Sequence, residues 1–531
     1  METPHDVYIA SDLHLCEGWL PDERRFARLE LFFYDKEFAR WLERIVREQE
    51  RRARPALLVL NGDCLDFLAV SRCPPPGEAE ALSLRVSRAE QKFGLASSEK
   101  KSHWKILRIL RGHRPFFKAL ARFLTRGHRL VILRGNHDAE LYWPTVQDAI
   151  RDHLSGMAVD EGFAASRETV AERIEFRQWF YMEPGRLYIE HGNQYDESNS
   201  FRYGLCPELP GRYTDDAEPG LDYPLGSLFV RFLYNKLKTV DPFGAHFVSV
   251  EQYVRLLASY NFVDFVRVTL LHFPIFFRAI KGLRLFETAS MSEPEKLHRA
   301  RRAKLAREGH PAVDALDALV VAPAGKTKHA FFMELMAPIL RGMFTFVGIG
   351  LLAVLLWFLM FQVIQQQNWI AEGTFARASL MAVLAVGTFV GLFVAFTRIN
   401  RRLRGAGDPM PERLAHRAEM IGEILDIPIV CFGHSHVPDY RKLRDGRTVY
   451  ANSGTWTRNP GPWDQIKPRA RQFTFIRIRD KDADVLRWDD VSQTWEPAPI
   501  LEGYHPSALE RLLPDEGVAS SEDRGDRGDQ H

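Results

Sequence analysis

The chain has 531 residues, 46% of them hydrophobic, enough for several domains of about 100 to 200 residues with cores of their own. Its 71 basic and 69 acidic residues leave a net charge of +2, which carries no polyanion-binding signature and implies no nucleic-acid partner. Five scattered cysteines, Cys16, Cys64, Cys73, Cys206 and Cys431, lack CxxC spacing, so neither a disulfide framework nor a zinc ribbon is expected and a reducing compartment fits.

The first apolar run, Asp6 to Ala10, reads as a short buried strand rather than the apolar part of an export signal, so no cleaved signal is expected. Lys36 to Arg54 follows with Phe38, Trp41, Leu42, Ile45 and Val46 at helical spacing, and Ala56 to Leu60 is again strand-like. Helical pattern returns at His103 to Thr125, strand pattern at Arg129 to Leu133, a helix starting near Pro144, and a strand at Arg186 to Glu190. This alternation predicts a layered α/β domain with ligands at the strand ends.

Beyond residue 200 the composition turns aromatic and basic. Leu225 to Leu237 and Phe262 to Phe286 mix aromatics with Arg231, Lys236, Arg267, Arg278, Lys281 and Arg284, which suits either helices lying in a membrane interface or ordinary amphipathic core helices. Gly342 to Ile364 and Ala378 to Thr397 are uncharged and apolar, each of about the 20 residues that a bilayer-spanning helix needs. Arg341 precedes the first stretch, and Arg398, Arg401, Arg402 and Arg404 follow the second, so the expectation is a two-span hairpin with both ends on the cytoplasmic side. Ile427 to Phe432, Thr448 to Ala451, Gln472 to Ile478 and Asp484 to Trp488 restore a β-rich pattern, and the polar end of the chain from Pro514 to His531 reads as disordered.

Metal-capable side chains recur just after the apolar strands. Asp12 and His14 stand in SDLHL, Asp63 and Asp66 in NGDCLD, Asn136, His137 and Asp138 in GNHD, His191 in EHGNQYD, and His434 and His436 in FGHSH. Carboxylates, imidazoles and one carboxamide together suit a pair of divalent ions, because the neutral ligands complete the shells without adding charge. Residues two apart in a strand share a side, so Asp12 with His14, and His434 with His436, are each expected to direct two ligands to one cavity. Asp66 is expected either to support the loop around Asp63 or to be purely structural, and Asp196 either to contact the site or to serve as a turn carboxylate.

The ordered blocks D-x-H, G-D-x-x-D, G-N-H-D, H and G-H-x-H resemble the calcineurin-like metallophosphoesterase superfamily over roughly 1 to 195 and 425 to 490. The resemblance implies a four-layer α/β/β/α sandwich, here interrupted by a large helical insertion containing the two-span transmembrane hairpin. It implies one metal on Asp12, His14, Asp63 and His436 and a second on Asp63, Asn136, His191 and His434, with Asp63 bridging. Mn is the ion the likeness favours, and Fe or Zn suit the same donors. Two such ions lower the pKa of a bridging water and so supply hydroxide for in-line attack on phosphorus. The resemblance makes His137 the catalytic residue near the leaving oxygen and Asp138 the carboxylate that orients it.

The chain is accordingly divided into a first metallophosphoesterase part at 1–200, a helical insertion at 201–340, a transmembrane hairpin at 341–398, a second metallophosphoesterase part at 410–500 and a disordered tail at 514–531. The expected protein is a multi-pass inner or cytoplasmic membrane phosphoesterase whose catalytic domain faces the cytoplasm. Its expected partners are the lipid bilayer and a phosphate ester or pyrophosphate, of a lipid-linked or nucleotide-sugar-lipid kind. A partial likeness to UDP-2,3-diacylglucosamine pyrophosphatases carries that substrate expectation, although many of those enzymes have Arg where this chain has His137. Two alternatives stand beside it: a phosphatase or phosphodiesterase for a soluble substrate, the insertion being only an anchor, and a non-catalytic membrane adaptor with a structural metal site.

Overall fold

The computed structural model of the chain describes residues 5–163, 166–214, 217–235, 293–321, 410–444, 446–457 and 472–500, together with scattered positions between 348 and 394. Its principal strands, in chain order, are β1 (Asp6–Ala10), β2 (Ala56–Asn61), β3 (Arg129–Leu133), β4 (Ile174–Arg177), β5 (Phe180–Glu183), β6 (Leu187–Glu190), β7 (Ile429–Phe432), β8 (Pro438–Lys442), β9 (Val449–Ser453), β10 (Thr474–Arg479), β11 (Asp482–Asp489) and β12 (Thr494–Pro497). They form a seven-stranded sheet in the order β12-β11-β10-β1-β2-β3-β4 and a five-stranded sheet in the order β8-β9-β7-β6-β5. The strands that matter for function are parallel: β1 to β4 run side by side, with Val7 opposite Leu57 and Leu58 opposite Leu130. In the second sheet β6, β7 and β9 are also parallel.

Side-chain alternation explains the layering. In β1, Val7 and Ile9 point to one face and pack with Leu57, Val59 and Val131 against Ile189, Ile429 and Cys431 of the second sheet, while Tyr8 and Ala10 point to the other. A strand buried on both faces needs an unbroken apolar run, and β1 and β2 are buried at every position. Helices cover the outer faces. On the first sheet these are α1 (Asp35–Arg52), α2 (Glu99–Gly112), α3 (Arg114–Thr125) and α4 (Pro144–Asp160). On the second they are α5 (Glu293–Arg307), α6 (Val313–Leu319) and α7 (Met410–Leu425), with Val313, Leu316, Leu414, Ala418 and Ile421 in one cluster with Tyr188, Val430 and Phe432. In α1, Phe38, Trp41, Leu42 and Ile45 are the buried stripe that the spacing foretold, each contributing about 1.5 to 3 kcal/mol of burial.

The helix predicted over His103 to Thr125 is two helices, broken at His113. Pro115 in the first turn of α3 has no N–H to give to the preceding turn. Gly112 also lies so close to the chain at Glu17 that a Cβ there would stand 1.8 Å from the Glu17 carbonyl oxygen. Strand alternation missed β4, β5, β8 and β12, which are short and partly exposed, so their patterns are diluted by polar residues.

The transmembrane expectation is corrected. Among the described residues no helix is long and apolar enough to cross a membrane, so neither the two-span hairpin at 341–398 nor a multi-pass membrane location is supported. Within the two apolar stretches the described positions are helical fragments. The rest of those stretches, the amphipathic segment Phe262 to Phe286 and the tail from Pro514 lie outside the described residues. Of the other amphipathic segment, the described part from Leu225 packs onto the α/β body, with Leu225, Gly226, Ser227 and Leu228 buried.

Candidate metal centre

Five loops at the carboxyl ends of β1, β2, β3, β6 and β7 converge on one place, and each brings the residues its motif promised. Asp12, His14 and His436 have donor atoms all within 4.8 Å of one another, and so do Asp63, His191 and His434. A third such group joins His14, Asp66 and His137. His436 Nε2 is 3.0 Å from Asp12 Oδ1, and His191 Nε2 is 3.2 Å from Asp63 Oδ2. The rings of His14 and His436 approach through their Nε2 atoms at 3.4 Å.

These ligands do not meet by strand alternation. β1 ends at Ala10, and Asp12 and His14 lie beyond it with left-handed backbones, φ 53° and 55°. Asp63 (50°), His434 (64°) and His436 (58°) share that conformation, which is uncommon for residues with a Cβ and carries a cost of order 1 to 3 kcal/mol each. Strain of this kind persists where surrounding contacts over-determine it. Here Leu15 bridges to Leu65, and the amides of Asp12, His14 and Leu15 donate to the carbonyls of Gly62, Asp63 and Cys64. Two glycines make the approach possible. A Cβ on Gly135 would stand 2.2 Å from Asp63 Oδ1, and one on Gly62, itself at φ +75°, would stand 2.5 Å from the His191 ring.

Hydrogen bonds aim the donors. His191 Nδ1 donates to the Asn61 carbonyl at 2.9 Å, which leaves Nε2 facing Asp63. Asp63 Oδ1 accepts from the His137 amide at 2.7 Å, and Asp12 Oδ2 accepts from the His434 amide at 3.0 Å and from the Ser11 hydroxyl. Asn136 Oδ1 is buried and has no hydrogen-bond partner among the described residues, a carboxamide oxygen turned inward with nothing to accept from. Carboxylates, imidazoles and this orphan oxygen fit a pair of divalent cations, and hard oxygens mixed with imidazole suit Mn, Fe or Zn.

Burial works against a charged His191, but Asp63 and Asp12 lift its pKa to about 10, so a cation there would have to displace its proton. Burial works to raise the Asp12 pKa, but the His436 and His191 rings outweigh it and hold the carboxyl at about 2. Asp63 is likewise held well below the carboxylate range, burial being overcome by His191 and His137. Burial lowers the pKa of His14 and so favours its neutral form. His137 goes the other way. Burial opposes its charge, yet Asp66 and Asp63 lift it to about 9.

Asp138 does not orient His137 through a hydrogen bond of its own. Its carboxylate accepts from the backbone amides of Gly135 (2.6 Å), Cys64 (3.0 Å) and Leu65 (3.4 Å), tying the loop after β3 to the loop after β2. Asp66 faces the ring instead, its Oδ2 lying 3.2 Å from His137 Nδ1 and 3.5 Å from His14 Nδ1. Leu141, Tyr142 and Trp143 belong to the core beneath α4, with Trp143 Nε1 donating to the Ser97 carbonyl at 2.9 Å.

Sequence reading passed over Asn199 and Ser227, both at the centre. Asn199 Oδ1 accepts from Asn136 Nδ2 at 3.4 Å, and the buried Ser227 hydroxyl donates to the Asn136 carbonyl at 3.1 Å. The only signal for Asn199 was its place in the polar turn NQYDESNS just after His191, and Ser227 gave none. No family model, no curated protein and no solved structure matches the chain.

Proposed function

We propose that this protein is a dinuclear metal-dependent phosphoesterase that hydrolyses a phosphate ester or pyrophosphate. The observation that carries the reading is the convergence of two ligand clusters, Asp12/His14/His436 and Asp63/His191/His434, beside an imidazole held by Asp66. The order of the motifs, which resembles the calcineurin-like metallophosphoesterases, supports it independently. Asp12, His14, Asp63 and His436 would hold one divalent cation, and Asp63, Asn136, His191 and His434 the other. Such a pair supplies neutralisation of phosphate oxygens and a water activated near neutral pH.

The chain's own part is orientation and proton supply. His137 faces Asp66 through Nδ1 at 3.2 Å, and in its protonated form would donate a hydrogen bond, and then the proton, to an oxygen leaving phosphorus. Asp66 lies against Nδ1 of the ring, which would leave Nε2 for the substrate. Asp138 keeps the two loops in register from beneath.

The test is hydrolysis of aryl phosphate monoesters and diesters, and of a lipid-linked pyrophosphate beside its acyl-free head group, with Mn²⁺, Zn²⁺ or Mg²⁺ added and then chelated. Turnover that needs the metal and disappears in Asp63→Asn supports the reading. Inactivity towards all of these with every ion, in protein that still binds metal, would favour a non-catalytic adaptor.

A further inference from the structure

The second ligand cluster is backed by a segment that belongs to neither sheet. After His191 the chain turns through Asn193–Tyr195 and reaches Asp196, whose Oδ2 accepts from His434 Nε2 at 3.2 Å. The same oxygen accepts from Asn199 Nδ2 at 2.7 Å, and Asn199 Oδ1 in turn accepts from Asn136 Nδ2. A continuous run of side-chain contacts, His434–Asp196–Asn199–Asn136, therefore joins two of the second cluster's ligands.

Each contact fixes a choice the ligand would otherwise leave open. A histidine engaged by a carboxylate at Nε2 has only Nδ1 to offer a cation, and the carboxylate raises the basicity of that nitrogen. A carboxamide whose NH₂ is held by Asn199 must turn its oxygen away, and Asn136 Oδ1 is the buried, unpartnered atom that results. The run is itself anchored. Asn193 Nδ2 donates to the Asn199 carbonyl at 2.8 Å, and the Ser198 amide donates to Asp196 Oδ1 at 3.0 Å. Opposite stands Gly226, where a Cβ would lie 2.2 Å from Asn199 Oδ1, and next to it Ser227 holds the Asn136 carbonyl. In the first cluster Asp12, His14 and His436 face one another directly, with Asp66 against His14.

We propose that Asp196 and Asn199 are positioning residues for the second cation, selecting Nδ1 of His434 and Oδ1 of Asn136 as its ligands. The proposal rests on the dinuclear reading above. It makes the second site the one whose affinity depends on Asp196 and Asn199, while the ligands of the first come from the loops after β1, β2 and β7.

The experiment is a Mn²⁺ titration of the full chain, followed by calorimetry and by elemental analysis after dialysis, for wild type, Asn199→Ala and Asp196→Asn, with the thermal midpoint of each metal-free protein recorded. The expected result is two ions per wild-type chain. In both variants one of the two should weaken by about 10- to 100-fold, as loss of such outer partners typically does, while the other keeps its affinity and the metal-free midpoint of Asn199→Ala stays close to that of wild type. Two ions bound as tightly in both variants as in wild type would overturn the proposal and leave the phosphoesterase reading intact. An equal weakening of both ions would also overturn it, as a general loosening of the fold. Failure of wild type to bind a pair would overturn the dinuclear reading, and this proposal with it.

Discussion

Asp66 Oδ2 lies 3.2 Å from His137 Nδ1, whereas Asp138, the chain neighbour of that histidine, gives its carboxylate to three backbone amides. The two acids therefore have separable duties, and substitution should separate them. Asp66→Asn is expected to cut kcat by about 10²-fold or more with modest loss of stability, since it removes the charge that holds the His137 proton. Asp138→Ala is expected to destabilise the protein by about 1 to 3 kcal/mol, because buried amides lose their acceptor. Paired kcat and denaturation measurements decide this, and the reverse pattern would return the orienting role to Asp138.

The His137 side chain belongs to neither proposed ligand set, although its amide donates to Asp63 Oδ1. His137→Ala should keep the metal content of wild type and lose about 10²- to 10⁴-fold in kcat, the usual range for a general acid. Full turnover in that variant would remove the role.

Away from the centre, His113 is wholly buried between Glu30 Oε2 at 3.3 Å and Asp35 Oδ1 at 3.1 Å. Burial disfavours its charge, but the two carboxylates win and raise its pKa to about 10. A histidine whose folded pKa exceeds its unfolded value of about 6.5 contributes stability that is complete below that value and is lost as pH rises through the folded pKa. Unfolding free energy should therefore fall between about pH 6.5 and 10, and His113→Gln should flatten that slope. Removing the cation leaves two buried carboxylates, at a cost of about 3 to 5 kcal/mol. Because Glu30 also accepts from the Gly18 and Phe32 amides, the loop that follows His14 should loosen too. Urea titrations across this pH range would show an unchanged slope if the cluster were unimportant.

Lys105 and Glu140 form a second buried pair, and the Tyr223 hydroxyl donates to the same carboxylate at 2.6 Å. Glu140→Ala strands a buried ammonium and should also cost about 3 to 5 kcal/mol. Tyr223→Phe removes one hydrogen bond to a charged group, worth about 1.5 to 3 kcal/mol, and should increase amide exchange in residues 220–229 selectively. Uniform exchange throughout the protein would count against Tyr223 as the tie between this segment and the α/β body.

The parts of the molecule legible in the sequence were those governed by short-range periodicity and by motif order. The buried strands β1, β2 and β3 declare themselves as apolar runs, and α1 by the stripe from Phe38 to Ile45. The Asp and His residues that cluster in the structure drew notice because they stand just past such strands. What was not legible depended on contacts distant in the chain. Glu17 meeting Gly112 helps break a predicted single helix, and Asp66 rather than Asp138 faces His137 because of how two loops fold together. Asn199 and Ser227 act on Asn136 from 63 and 91 residues away, a separation that no local pattern records. Hydropathy misled at 342–364 and 378–397, where apolar length alone implied spans that no described helix supports.

The central claim is that this constellation holds two divalent cations with Asp63 shared between them. It is tested most directly by counting Mn²⁺ per chain, by elemental analysis after equilibrium dialysis, in wild type and in Asp63→Asn. The account predicts two ions per wild-type chain and weakened binding of both in the variant. One ion or none in wild type, or two retained at full affinity without the Asp63 carboxylate, would contradict it.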